Sequence, residues 1–151
     1  MHIDLRLLLL HGATSALRQT YTLEQPYNDP DPAILTLSQS LSSYSSHLEA
    51  HLLPPQLQFI TSNLDVLANA AFIELVALVP AMDEYGLGRM GLNVVVLQQA
   101  LKALQGESSL ERARVFWQLM KEGEVGLQDR VEGAGFGEQE FRGLEGLMRR
   151  R

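Results

Sequence analysis

The sequence lacks cysteine, so disulfide bonds and thiol catalysis are excluded. Basic residues are also few: twelve Lys and Arg stand against eighteen Asp and Glu, and the net charge is -6. Binding to a nucleic acid requires a basic face that neutralises phosphates. We therefore expect no nucleic-acid partner, and an anionic membrane surface is disfavoured for the same reason.

Long apolar runs are missing as well. The most apolar stretch, residues 64–79, carries Asp65, Asn69 and Glu74, and it is too short and too polar to cross a bilayer. Near the N-terminus the run Leu7–Leu10 is too short for a signal sequence. We expect no direct membrane insertion, and we interpret residues 64–79 as a buried core helix.

What the chain does contain is helical periodicity, with no competing strand pattern. With 46% hydrophobic and 20% charged residues, it is typical of a globular domain. The predicted fold is all-α: an antiparallel α-helical bundle of about five main helices plus a short C-terminal helical segment, in a single domain 1–151. The main helices are predicted at 3–19, 32–52, 56–79 and 90–104, with a fifth that opens at the motif 108–111 and includes the apolar residues Leu110, Ala113, Phe116, Trp117 and Met120. Short, weak helices are expected around 128 and at 138–148.

Three local signals mark where these helices begin. Asp31 followed by Pro32 is a favourable N-cap and first-turn pair. Pro54-Pro55 ends the second helix and opens the third. The motif Ser-Ser-Leu-Glu at 108–111 is typical of a capping box that starts the fifth helix.

The stretch GRMGLNVVVLQQALKAL, residues 88–104, contains three consecutive valines and could be a strand or a helix. Its strongest apolar positions are spaced by four, three, four and three residues, which favours a helix. They are Met90, Val94, Leu97, Leu101 and Leu104. Leu92, Val95 and Val96 fall on the other side, so another helix of the domain or the rest of a longer protein must cover them. We predict a protein-interaction surface formed by Leu92, Val95, Val96 and Gln99.

No pattern of reactive residues names a reaction. His47 and His51 lie one helical turn apart and could chelate a metal, but no third ligand is evident. The glycines at 86, 88 and 91 follow a helix rather than a strand, and no Lys-Ser/Thr pair follows them, so a phosphate loop is not supported. We expect these glycines to end one helix, start the next and allow close packing. We predict no catalytic residue, no metal and no cofactor.

The 88–104 stretch resembles the C-terminal region of exocyst complex component four, the Sec-eight subunit family. The matching positions are Met90, Asn93, the aliphatic run 94–96, Leu97-Gln98-Gln99 and Leu101. The Asp-Pro start at 31–32, Phe59-Ile60 and the Leu64-x-x-Leu67 spacing are similar upstream, as is the aromatic-containing segment 110–120 downstream. The resemblance is collinear over roughly residues 1–122, whereas the glycine-rich tail 123–151 departs from it.

This resemblance implies a non-catalytic structural and interaction module of the exocyst, which tethers secretory vesicles to the plasma membrane before SNARE-mediated fusion. It implies the C-terminal module of a longer rod-like subunit. The implied partners are other exocyst subunits and regulatory proteins, with no small-molecule substrate. The implied location is cytoplasmic, peripheral at the plasma membrane and secretory vesicles.

The alternative is a free-standing helical domain that binds a small ligand or metal in its bundle core. A long helical chain encoded before residue 1 would distinguish the module from this alternative.

We expect the purified protein to carry no stoichiometric zinc, because two histidines without a third ligand make a weak site. Elemental analysis of the purified chain measures this directly. One equivalent of zinc that disappears in His47→Ala would contradict the interpretation.

Overall fold

The computed structural model describes the backbone of residues 2–150 and the side chains of residues 5–150. Within this part, the regular elements are helices, apart from one isolated bridge between Tyr21 and Met82. The elements are α1 (His2–Leu17), α2 (Pro32–His51), α3 (Pro54–Thr61), α4 (Leu64–Glu74) with a 3-10 extension (Leu75–Leu78), α5 (Glu84–Gln105), α6 (Glu111–Gln118), α7 (Leu127–Gly133) and α8 (Glu138–Arg149). The prediction of an all-α bundle is confirmed.

Helix α2 packs between α1 and α5. It runs antiparallel to α1, since Leu7 and Leu8 share a groove with Tyr44 and His47 near the other end of α2. Helices α5 and α6 are also antiparallel. By contrast α2 and α5 run in the same direction, because α3 and α4 carry the chain back to the start of α2 before α5 begins.

The predicted third helix, 56–79, is two helices in the structure. The chain breaks at Ser62, which is extended, and at Asn63, which is left-handed with φ of 61°. The backbone groups freed by this break have tertiary partners. Arg6 donates to the Ser62 carbonyl at 2.9 Å, and the Gln105 side chain accepts from the Leu64 amide at 3.0 Å. The apolar periodicity continues across the break, so the sequence does not reveal it.

The stretch Pro54–Leu78 spans this break and, by length and composition alone, is apolar enough to cross a membrane, with a mean hydropathy of 1.4. In the structure its second half is the core helix α4. The buried side chains of α4 are Leu64, Ala68, Ala71, Phe72 and Ile73. This agrees with the interpretation of residues 64–79 as a buried helix.

Two helix starts differ from the sequence prediction. Helix α5 begins at Glu84 rather than at 90, because the Asp83 carboxylate accepts from the Gly86 amide at 2.7 Å and caps the helix there. The capping box at 108–111 was a wrong prediction. The Ser108 hydroxyl is buried without a described partner, and the first amides of α6 donate instead to the Ser109 hydroxyl and to side chains of neighbouring helices.

The glycine-rich tail forms α7 and α8, as predicted, and α8 packs firmly on the bundle. Leu144, Leu147 and Met148 are buried, and a Cβ on Gly143 would lie 2.5 Å from Val76 Cγ1. The Arg150 guanidinium donates to the Val79 carbonyl at 2.9 Å. These contacts attach the tail to the 3-10 extension of α4.

We expect Gly86→Ala to destabilise the domain, although alanine is the better helix former. A Cβ at Gly86 would lie 1.7 Å from the Tyr21 carbonyl oxygen, so the backbone must move. Overpacking of this kind costs about 1–3 kcal/mol, measurable by urea unfolding. Gly133→Ala in α7, where a Cβ meets nothing within 4 Å, is the matched control and should be neutral or stabilising. Equal stability of the two variants would contradict the expectation.

Candidate protein-interaction surface

The inner side of α5 forms the seam that the sequence predicts. Its five seam residues are all buried: Met90, Val94, Leu97, Leu101 and Leu104. The valine run is therefore part of a helix that contributes to the domain's own core. This inward seam determines which side chains of α5 point outward.

A buried polar network fixes α5 against the connection between α1 and α2. Asn93 is 0% exposed. Its Nδ2 donates to the Tyr21 hydroxyl at 2.9 Å, and its Oδ1 accepts from the Asp31 amide at 2.7 Å. The Tyr21 hydroxyl donates in turn to the Ala16 carbonyl at 2.7 Å. One amide side chain thus joins the end of α1, the start of α2 and the middle of α5.

The Tyr21 phenol lies in an environment that disfavours its charged form. Burial raises its pKa well above the ordinary value of 10.0, and the nearby negative charge of Asp31 adds to the effect. The hydrogen bond from Asn93 acts in the opposite direction but is smaller. Tyr21 therefore stays protonated and serves as a hydrogen-bond donor in the folded protein.

A second set of contacts holds the N-terminal end of α5. The Asp83 carboxylate accepts from the Leu23 amide through Oδ2 and from the Gly86 amide through Oδ1, both at 2.7 Å. The Asp83 amide donates to the Tyr21 carbonyl at 3.0 Å. Asp83 is therefore a helix cap rather than a free surface carboxylate. One of the groups that this carboxylate holds is the Leu23 amide, sixty residues away in the chain, which explains why sequence reasoning missed the contact.

The two adjacent glutamines of α5 have different roles. The Gln98 side chain points toward α6 and accepts from the Leu110 amide at 2.8 Å, which caps that helix. Gln99 is exposed. At the end of α5, Gln105 accepts from the Leu64 and Asp65 amides and caps α4.

The structure places the four predicted interaction residues on the outer part of α5. Val95 is 47% exposed and Gln99 is exposed, whereas Leu92 and Val96 are half-buried. Leu92, Val95 and Gln99 follow each other at helical spacing, and we call these three residues the outer strip. Val96 turns toward α2 and lines a groove there together with Gln99. Their role in binding stays a prediction.

The outer strip lies on one of three uncharged segments of the neighbouring helices α1, α2 and α5, which we call the uncharged wall. No Asp, Glu, Lys or Arg occurs in residues 7–17 of α1, 32–48 of α2 or 90–101 of α5. Exposed apolar residues lie on each of the three helices, namely Leu7, Leu35 and Val95. Depletion of charge is typical of the centre of a protein-protein interface. The exposed parts of these three segments therefore have the composition of a binding surface.

The glycines of the GLGRMG segment lie inside the first half of α5, and do not end one helix and start another as the sequence suggested. Gly86 packs closely against Tyr21, which agrees with the expectation of close packing. A Cβ on Gly88 or Gly91 would meet nothing within 4 Å. A glycine inside a helix costs about 1 kcal/mol relative to alanine. No contact with a described residue explains that cost at Gly88 and Gly91.

The histidine pair offers little for metal binding. The rings of His47 and His51 lie 4.6 Å apart, centroid to centroid, and both residues are exposed. His11 lines the groove between α1 and α2 together with His47. Among the residues whose side chains are described, there is no group of three or more His, Cys, Asp or Glu that could hold a metal ion.

Comparison with known proteins identifies relatives of this sequence. No family model matches the chain. It is 33% identical over 127 residues to the probable exocyst complex component sec8 of Neurospora crassa, a match that covers 82% of this chain and 11% of that protein. The resemblance to exocyst complex component four is confirmed. The chain is also 29% identical over 123 residues to exocyst complex component 4 of Caenorhabditis elegans (80% of this chain, 13% of that protein) and 25% identical over 122 residues to that of Dictyostelium discoideum (80% and 10%).

The chain thus spans about a tenth of the length of the curated exocyst relatives it matches. The residues on which the sequence resemblance rested mostly build the domain. Met90, Leu97 and Leu101 are core residues, Asn93 forms the buried network, and Gln98 caps α6. The resemblance to exocyst component four therefore rests mainly on residues that build the helical scaffold of this domain.

Replacing Tyr21 by phenylalanine should produce a pH-dependent loss of stability. The variant loses the hydrogen bond to the Ala16 carbonyl and the one from the Asn93 amide, at a cost of about 1–3 kcal/mol near neutral pH. In the wild type the folded pKa of Tyr21 is raised, so the hydroxyl's contribution is complete below pH 10. Above pH 10 the unfolded chain releases the proton, and the contribution falls by about 1.4 kcal/mol per pH unit.

The free-energy difference between wild type and Tyr21→Phe should therefore shrink from roughly pH 9 to pH 11, as measured by urea unfolding at each pH. A difference that stays constant over this range would show that Tyr21 is not protected in the folded state.

Proposed function

We propose that this chain is a non-catalytic structural and interaction module of the exocyst, the complex that tethers secretory vesicles to the plasma membrane before SNARE-mediated fusion. The whole chain, 1–151, would act as one helical domain and as the C-terminal module of a longer subunit. The observation that carries the proposal is the similarity to three exocyst components over about four fifths of the chain.

The shape and chemistry of the surface support an interaction role. The helices of the uncharged wall are rigidly held by the core and by the Asn93 network, so the outer strip is presented on a fixed support. The strip combines exposed Val95 with half-buried Leu92, a pattern suited to contact with another helix. Other exocyst subunits are the partners we propose, together with regulatory proteins.

The same proposal implies that several activities are absent from this chain. It is not an enzyme, takes no small-molecule substrate and requires no cofactor. With a net charge of -6 it is not built to bind nucleic acid. Its location would be cytoplasmic, peripheral at the plasma membrane and secretory vesicles, as part of the complex and without inserting into the membrane.

No observation favours the alternative of a free-standing domain that binds a ligand or metal in its core. The grooves between α1 and α2 and between α2 and α5 are open at the surface rather than enclosed in the bundle.

The decisive experiment compares Val95→Glu with Leu97→Glu in the full subunit. A carboxylate at exposed Val95 leaves the domain folded but would be buried without a partner at an interface, at a cost of several kcal/mol. Since about 1.4 kcal/mol corresponds to a factor of ten, affinity should fall more than a hundredfold. Leu97 is 0% exposed, so a carboxylate there should unfold the domain. The measurements are melting temperature and co-purification with the remaining exocyst subunits.

Val66→Glu provides the matched control, because Val66 is 63% exposed on α4 and lies outside the proposed surface. This variant should keep both its melting temperature and its partners. If the melting temperature of Val95→Glu is as low as that of Leu97→Glu, the outer strip is part of the domain's own core. If Val95→Glu folds and still co-purifies with every subunit, the interaction does not use this strip.

A further inference from the structure

We propose that Gly88 and Gly91 form a notch on α5 that receives an apolar side chain from an α-helix of another exocyst subunit. The proposal rests on the proposed function and extends its surface toward the N-terminal end of α5. The partner helix would lie along the outer strip and insert one large side chain over the two glycines.

The first observation is the empty space above both glycines. At three other helical glycines, close packing within the domain explains why no side chain is present. A Cβ on Gly12 would collide with Leu37, one on Gly86 with Tyr21, and one on Gly143 with Val76. At Gly88 and Gly91 a Cβ would meet nothing within 4 Å. Both lie well inside α5, where no turn or positive φ requires glycine. The space they leave is open to a partner from outside the domain.

The second observation is Trp117 on α6, which lines the same groove as Gly88 and Gly91. This residue is 1% exposed, and its indole Nε1 has no hydrogen-bond partner among the described residues. Buried donors in folded proteins are almost always paired. An acceptor on the partner helix would complete this donor.

The third observation is continuity with the outer strip. Gly88 is followed by Leu92, Val95 and Gln99 at steps of four, three and four residues, which places all four on one side of the helix. Gly91 lies one turn before Val95 on the adjoining row. Notch and strip therefore form a single surface along α5, with small residues at one end and aliphatic residues in the middle.

The charges at the two ends of this surface indicate the kind of partner. Glu84 and Lys102 are both exposed, and neither forms an ion pair with any described residue. Eighteen residues separate them, or about 27 Å of helix. A partner helix with a cation opposite Glu84, a carboxylate opposite Lys102 and apolar residues between them would match this pattern. A side chain entering the notch would pack as a knob packs into a hole between helices.

The test uses glycine substitutions that fill the notch without disturbing the fold. In the full subunit, the double variant Gly88→Ala with Gly91→Ala and the single variant Gly91→Leu would be compared with Gly133→Ala. Each of the two Gly→Ala changes inside α5 should make folding about fivefold more favourable, since alanine is the better helix former and nothing obstructs the Cβ. The probes are the remaining exocyst subunits, assayed by co-purification and by quantitative binding to the subunit that is captured.

We expect Gly133→Ala to bind like wild type and both notch variants to bind at least tenfold more weakly while melting no lower than wild type. If Gly91→Leu melts below wild type, the double alanine variant decides. Weakened binding by it supports the notch, and unchanged binding overturns it.

The Val95→Glu variant separates the two proposals. If it loses binding while the notch variants bind as tightly as wild type, the interaction module stands and the notch is overturned. If Val95→Glu folds, and both this variant and the notch variants bind as tightly as wild type, both proposals fail. Replacing Lys102 by Gln should also weaken binding and flatten its dependence on salt. An unchanged salt dependence would overturn the charge pattern assigned to the partner.

Discussion

The buried amide of Asn93 is the contact on which the arrangement of the helices most depends. It joins Tyr21 and Asp31, which lie more than sixty residues away along the chain, to the middle of α5. A buried amide left without partners is costly, so the connection between α1 and α2 must follow one path across α5. That path places Tyr21 over Gly86, and the close approach is possible only because residue 86 has no side chain. The network and the glycine together set the position of α5.

Sequence patterns predicted the helices and the inner face of α5 well, because both follow from apolar spacing. The steps between Met90 and Leu104 define a seam that the structure buries. The same helical spacing predicts that Val95 and Leu92 lie on the opposite side of the helix from this seam. Asp31-Pro32 and Pro54-Pro55 also marked helix starts correctly, since their effects are local. The patterns left open what covers the outer side of α5, because that depends on molecules outside the domain.

The errors arose where side chains from one helix satisfy the backbone of another. The break at Ser62 and Asn63 is supported by Arg6 and Gln105, from α1 and α5. At the start of α6 the Ser109 hydroxyl accepts from the Glu111 amide, but the Leu110 and Ala113 amides donate to the distant side chains of Gln98 and Asn69. Such partners are distant in sequence, and no local motif predicts them. The glycines at 88 and 91 also could not be interpreted from sequence alone. Only the structure shows that Gly86 packs against Tyr21 and that Gly88 and Gly91 do not.

The exchange of caps between helices has a consequence for how the domain folds. Helix α6 has only eight residues, and its first amides rely on Gln98 of α5 and Asn69 of α4. A helix this short is unstable by itself in water, so α6 can form only after α4 and α5 have met. Its amides would then exchange with solvent only when that pair separates, and a fragment that lacks α4 could not hold α6 at all. The domain is therefore a single cooperative unit from α4 to α6, in which the later helix reports on the assembly of the earlier two.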